Sequence, residues 1–215
     1  MIHELGKTNS IFNQFLSEIR SESIQKDRAR FRRNMERLGE IFAYELSKTL
    51  DFETEEVTTT LGAAQMQVPK DFPVLATIMR AGLPFHQGLL NYFDHSDNAF
   101  VSAYRKHKKG QDEFTIHVEY LSSPPLKGRV LVLSDPMLAT GASMVRVFEA
   151  LLEKGMPAHI HVVSLIASHE GIAYLRKKLP ENTTLWVGAI DDELTAQAYI
   201  VPGLGDAGDL AYGEK

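Results

Sequence analysis

VLVLSDPMLATGAS, residues 130–143, decides how the rest of the chain reads. Four apolar residues stop at Ser134-Asp135, and Thr140-Gly141-Ala142-Ser143 then opens a segment where Val145, Phe148, Leu151 and Leu152 follow helical spacing. A short apolar run without alternation predicts a strand covered on both faces. Small residues at a helix start turn several backbone N–H groups toward an anion, which predicts a phosphate cradle. Asp135 brings a carboxylate beside it, whose natural partner is a sugar hydroxyl or a metal. The stretch therefore predicts a phosphorylated sugar at a strand end. Gly155 and Pro157 close the helix predicted over 142–154.

Outward from this centre, apolar runs recur at 74–79, 99–104, 160–167 and 185–190, with a helical pattern over 83–93. Strands and helices in this alternation predict an α/β fold with a mainly parallel sheet flanked by helices. Ahead of the sheet, Ile24, Phe31, Met35, Leu38, Phe42 and Leu46 predict one long helix over 23–49, within an N-terminal helical arm of about 10–50. Lys26, Arg28, Arg30, Arg32, Arg33 and Arg37 on its other faces read as a solvated, acid-balanced surface rather than an RNA site.

Parallel strands deliver their carboxyl ends to one edge, where α/β proteins bind ligands. Here those ends carry Arg80-Ala81-Gly82, Arg105-Lys106, and Asp135 with its cradle. Two guanidiniums, each a planar fork of donors that keeps its charge, suit a diphosphate. Residues 106–127 are polar and basic at first, then roughly alternating, then broken by prolines. They predict a hairpin flap in which Lys106, Lys108 and Lys109 attract an anion. Near the end, Gly203, Gly205 and Gly208 make a formal GxGxxG, but only seven residues follow Gly208. A dinucleotide fingerprint lacks its βαβ unit there. What remains is a bare-backbone loop over 199–213 able to approach a planar heterocycle.

Other chemistries lack their parts. The chain has no GxxxxGK[ST], GxSxG or HExxH. His159 and His161 share a strand face without an evident third metal ligand, and consecutive Ser168-His169-Glu170 point in divergent directions, unlike a triad. A net charge of −5 argues against a general nucleic-acid binder. No apolar run approaches the roughly 20 residues of a membrane span. The absence of cysteine and of a signal-like start makes the cytoplasm the expected location. With 215 residues and no break in composition, we expect one domain over 1–215.

Taken together, DPMLATGAS at 135–143, MRAG at 79–82, Tyr104-Arg105 and YIVPGLGDAGD at 199–209 closely resemble the uracil phosphoribosyltransferases. Arg32-Arg33-Asn34-Met35-Glu36 and Tyr44-Glu45 carry the likeness into the long helix. The resemblance implies a phosphoribosyltransferase-type fold with a flap and a C-terminal base-binding loop. It implies a pentosyltransferase of pyrimidine salvage, joining uracil to 5-phosphoribosyl 1-diphosphate (PRPP) to give UMP and diphosphate. Magnesium would arrive with PRPP rather than on direct protein ligands. The resemblance assigns PRPP to Arg80, Arg105, Asp135, Pro136, Met137, Leu138, Ala139, Thr140, Gly141, Ala142, Ser143 and Asp206. It assigns uracil to Ile200, Gly205, Asp206 and Ala207, with Asp135, Arg105 and Asp206 as catalytic candidates. Some relatives respond to a purine nucleotide, which adds GTP as a candidate effector. The apolar first helix and flap suggest a homodimer or higher homo-oligomer.

Two alternatives stay open on sequence. One is a PRPP- or UMP-sensing regulator of the same fold, supported only by the Arg-rich helix; the other is a transferase for another base. The chain departs from the usual pattern at Ala142, which replaces a second glycine, and over the tail 210–215. Pro136 and Ala139 stand where the wider group often carries acids, so the cradle offers no obvious general base.

Overall fold

The computed structural model describes residues 1–107 and 114–214. Strand β1 (Ile2–Glu4) leads into helix α1 (Ile11–Arg20), capped by the Ser10 hydroxyl, which accepts from Phe12 N–H at 3.2 Å. Helix α2 spans Arg28–Ser47, shorter than the helix expected from the apolar stripe. Asp27 sets its start by accepting from Ala29 and Arg30 N–H at 3.0 and 3.1 Å, and Ile24 lies in the turn between α1 and α2. A two-stranded hairpin follows, β2 (Phe52–Thr59) and β3 (Gly62–Pro69), largely exposed and separate from the main sheet.

The remaining chain builds the α/β body: β4 (Val74–Met79), α3 (Gly82–Tyr92), β5 (Asn98–His107), β6 (Phe114–Ser122), β7 (Val130–Ser134), β8 (Met137–Leu138), α4 (Ala142–Leu151), β9 (His159–Ser168), α5 (His169–Lys178) and β10 (Thr183–Asp191). After it come β11 (Glu193–Leu194), β12 (Ile200–Val201) and the short α6 (Ala207–Tyr212). The main sheet runs β1-β10-β9-β7-β4-β5-β6, parallel except for the antiparallel β6. Strand β8 continues alongside β9 past the end of β7. The second half of the expected flap is thus the β6 edge of this sheet; residues 108–113, with Lys108 and Lys109, lie outside the described residues.

Both faces of the sheet are covered, which is why its central strands are apolar throughout. On β7, Leu131 and Leu133 pack with α4 and α5, while Val132 turns to the opposite core under α1, α2 and α3. Helices α2 and α3 cross at two glycines: a Cβ on Gly39 would strike the Phe85 carbonyl, and one on Gly88 would strike that of Glu36.

At the β1 edge, His161 lies buried beside Trp186, whose indole N–H donates to its Nδ1 at 3.0 Å. Burial first, then the neighbouring His159 and His3, push its pKa well below the ordinary imidazole value, to about 3. The folded state therefore favours neutral imidazole, so the unfolded chain binds the extra proton first as pH falls. Stability is complete above about pH 6.5 and declines from there toward pH 3. We expect melting temperature to fall between pH 6.5 and 5, before most carboxylates titrate. His161→Gln should flatten that segment while lowering overall stability; an unchanged slope in thermal melts would exclude His161 as its source.

Candidate active site

The topology brings the charged strand ends to one edge. Strands β4 and β7 are adjacent and parallel, with Thr77 in register with Ser134, so Asp135 leaves β7 level with Ile78 and Arg80 follows two residues farther along β4. On the other side of β4, Met79 pairs with Ser102, placing the backbone of Arg105 farther along β5. The side chains of Arg105 and Lys106 lie outside the described residues. Gly82 permits the tight exit from β4, since a Cβ there would strike the Thr77 hydroxyl.

Between β7 and β8 the strand breaks at Asp135-Pro136. The Asp135 N–H still donates to Val163 at 3.1 Å, and the Pro136 carbonyl accepts from both Leu165 and Ile166 at 3.1 Å. Ser164 Oγ donates to the Asp135 carbonyl at 2.6 Å, and Met137 N–H approaches Asp135 Oδ1 at 3.3 Å. The carboxylate is thereby aimed from a fixed backbone. The Pro136 carbonyl is taken up by the sheet and the Leu138 side chain is buried.

Gly141 precedes α4 with φ 78° and ψ −7° and offers no side-chain cap, while Ala142 N–H donates to the Thr140 hydroxyl at a long 3.4 Å. The N–H groups of the first turn and the helix dipole favour an anion there. Helix α5 locks this loop from behind. Ser168 Oγ donates to the Ala139 carbonyl at 2.6 Å and accepts from Gly171 N–H at 2.9 Å. A Cβ on Gly171 would strike the Ala139 carbonyl and sit 2.8 Å from that of Leu138. Sequence spacing does not mark Ser168 and Gly171 as supports of this loop, because the Ser168–Ala139 contact spans 29 residues.

The C-terminal segment closes over the same edge. Arg80 donates to Asp209 Oδ1 at 3.1 Å and to the Gly213 carbonyl at 3.3 and 3.4 Å. Asp206 caps α6, accepting from Gly208 and Asp209 N–H at 2.8 and 3.0 Å through Oδ1. Ile200 is buried, and Gly203 and Gly205 take φ of 53° and 96°. Asp191, at the end of β10, accepts from the Gly203 N–H. Burial pushes its carboxyl upward, but hydrogen bonds from Arg20 and Gly203 with the Arg20 charge outweigh this and leave it below the usual value. Among the described residues no group of three His, Asp or Glu side chains forms a metal cage. A single carboxylate at Asp135 fits a magnesium ion carried mainly by substrate phosphate oxygens.

The Arg-rich helix is largely occupied within the fold. Arg30 pairs with the buried Glu18 at 2.8 Å, and Arg33 with Glu36 at 2.8 Å. Arg32 donates to the Ala211 carbonyl at 2.7 Å, and Arg37 to Asn34 at 3.1 Å. Arg30 and Arg33 are each 51% exposed in these pairs, which matches the solvated, acid-balanced face expected from the sequence.

Comparison with known proteins gives the same direction. A family model described as Uracil phosphoribosyltransferase matches residues 7–214. A uracil phosphoribosyltransferase of Porphyromonas gingivalis is 57% identical over 215 residues, covering 100% of this chain and 99% of the relative. One from Pyrococcus furiosus is 37% identical over 204 residues, covering 94% and 85% respectively. Among solved structures, the AQ2163 protein from Aquifex aeolicus superposes with a TM-score of 0.87 at 29% identity, covering 99% of this chain and 98% of that one. The family match spans nearly the whole chain, and on that ground the chain belongs to the uracil phosphoribosyltransferase family.

Proposed function

We propose that the carboxyl edge of the sheet binds PRPP and uracil side by side and transfers the phosphoribosyl group to uracil N1, releasing diphosphate. The observation that carries this reading is the adjacency of β4 and β7, which sets a guanidinium, a fixed carboxylate and an anion-binding helix start on one edge.

In this reading the N–H groups at Gly141, Ala142 and Ser143 take the 5′-phosphate, with Ala139 and Thr140 shaping the loop. Asp135 accepts from the ribose hydroxyls, and its charge favours the cationic character that develops at C1 as the diphosphate bond loosens. Arg80 and Arg105 neutralise the leaving group. When bound, magnesium supplies further charge neutralisation on the diphosphate oxygens. Backbone groups at Gly205, Asp206 and Ala207, beside Ile200, hold the uracil edge. Asp206 acts as an orienter, since one of its oxygens already caps α6. Donors aimed at the uracil carbonyls favour the N1 anion without a dedicated base, the N1 proton passing to solvent water as N1 bonds C1 and the C1–diphosphate bond breaks.

A homo-oligomer is supported by Phe52, Val57, Leu61 and Met66, apolar side chains exposed on the β2–β3 hairpin. The apolar stripe of α2 gives no such support, because it is buried in its own core. The GTP effector rests on family resemblance, and the cytoplasmic location on the cysteine-free composition. Among the described residues no helix is long and apolar enough to cross a membrane. The test is a steady-state assay with PRPP, magnesium and single bases. UMP formation with uracil preferred is expected; tight PRPP binding without turnover on any base would contradict the reading.

A further inference from the structure

The base loop is held from behind by residues outside every motif described above. Arg20, at the last position of α1, donates from Nη1 and Nη2 to the two oxygens of Asp191, both at 2.8 Å. The same Nη1 donates to the Gly203 carbonyl at 3.0 Å, while Asp191 Oδ2 accepts from the Gly203 N–H at 2.8 Å. Both backbone groups of one glycine are therefore clamped by one ion pair. Gly203 has φ 53°, and a Cβ there would strike the Ile200 carbonyl, so the clamp acts where the chain turns tightly against Ile200. With its amide oriented to donate, Gln25 Nε2 lies 2.9 Å from the Leu204 carbonyl and 3.0 Å from that of Ile19.

We infer that Arg20, Asp191 and Gln25 are positioning residues for uracil, setting the height of the 203–205 backbone against the base without touching it. The inference rests on the reading of 200–207 as the base slot. Three carbonyl and amide groups of the loop are fixed, from the last residue of α1, the turn after it and the end of β10. The cradle hangs instead on Ser168 and Gly171, and Arg80 on Asp209 and Gly213. Loss of the clamp should consequently affect one substrate and spare the other. The ion pair is mostly buried, Asp191 being 7% exposed, so its geometry is rigid and weakly screened.

The experiment measures KM for uracil at saturating PRPP, and KM for PRPP at saturating uracil, in the full-length enzyme. Asp191→Asn should raise the uracil KM about tenfold. Arg20→Lys keeps the charge but loses the fork, and should fall between wild type and Arg20→Ala. Gln25→Ala, a mild change outside the core, should raise the uracil KM about threefold. In each variant KM for PRPP should stay within about twofold. Gln25→Ala carries the test if the Asp191 variant fails to fold. Gly205→Ala serves as the probe of the slot itself: its Cβ meets only Leu210 at 4.0 Å, and the strain of a side chain at φ 96° falls on the slot backbone. A rise in uracil KM for Gly205→Ala with none for Gln25→Ala and Asp191→Asn would overturn the positioning role, as would parallel rises in both KM values. An unchanged uracil KM for Gly205→Ala would overturn the base-slot reading, and the positioning role with it.

Discussion

Asp135→Asn is expected to lower kcat/KM for PRPP about 100-fold while leaving the melting temperature and the uracil KM nearly unchanged. The side chain keeps its shape, and the amide oxygen can still accept from Met137 N–H, so the break between β7 and β8 survives. What disappears is the negative charge. A hydrogen bond to a charged group contributes roughly 1.5–3 kcal/mol, and about 1.4 kcal/mol corresponds to a factor of ten in rate. On the proposed reading the carboxylate accepts from ribose hydroxyls and faces growing positive charge at C1, so the loss would fall in the transition state more than in binding. Steady-state kinetics with thermal melts read both effects; unchanged kinetics would remove Asp135 from the site.

Gly141→Ala should damage stability and PRPP binding together. The residue has φ 78°, and its added Cβ would lie 2.5 Å from Leu175 Cδ1 and 3.1 Å from the Gly171 carbonyl. Gly128 provides a matched control, with φ 74° and nothing within 4 Å of the added Cβ. Strain at positive φ is common to both variants and costs about 1 kcal/mol. Only Gly141→Ala must also push α4 away from α5, adding roughly 1–3 kcal/mol of overpacking. Because that displacement moves the N–H groups of the cradle, KM for PRPP should rise at least about tenfold, whereas Gly128→Ala should leave it alone. Equal effects on KM in the two variants would show that the α4–α5 contact does not support the cradle.

The central strands were legible because burial on both faces leaves a continuous apolar signature, as at Val74–Met79 and Val130–Ser134. Strand β1 was not, since three half-buried residues at a sheet edge carry no such pattern. The β2–β3 hairpin escaped for the opposite reason: Phe52–Thr59 is exposed along its whole length and rich in Glu and Thr, so no apolar face marks it. The long helix was overextended because Ile24 continued the apolar spacing through a turn that Asp27 ends by capping α2. Within the site, the residues that carry charge were readable from their strand ends. The residues that hold them in place, Ser168, Gly171, Arg20 and Asp191, act through contacts remote in sequence; Arg20 and Asp191 are 171 positions apart. Sequence spacing has no means of showing such pairs.

The most direct measurement is a crystal structure of the protein soaked with UMP. The account predicts the 5′-phosphate against the N–H groups of Gly141, Ala142 and Ser143, the ribose hydroxyls at Asp135, and the uracil ring against Ile200 and the backbone of 205–207. UMP bound elsewhere, with this edge of the sheet vacant, would contradict it.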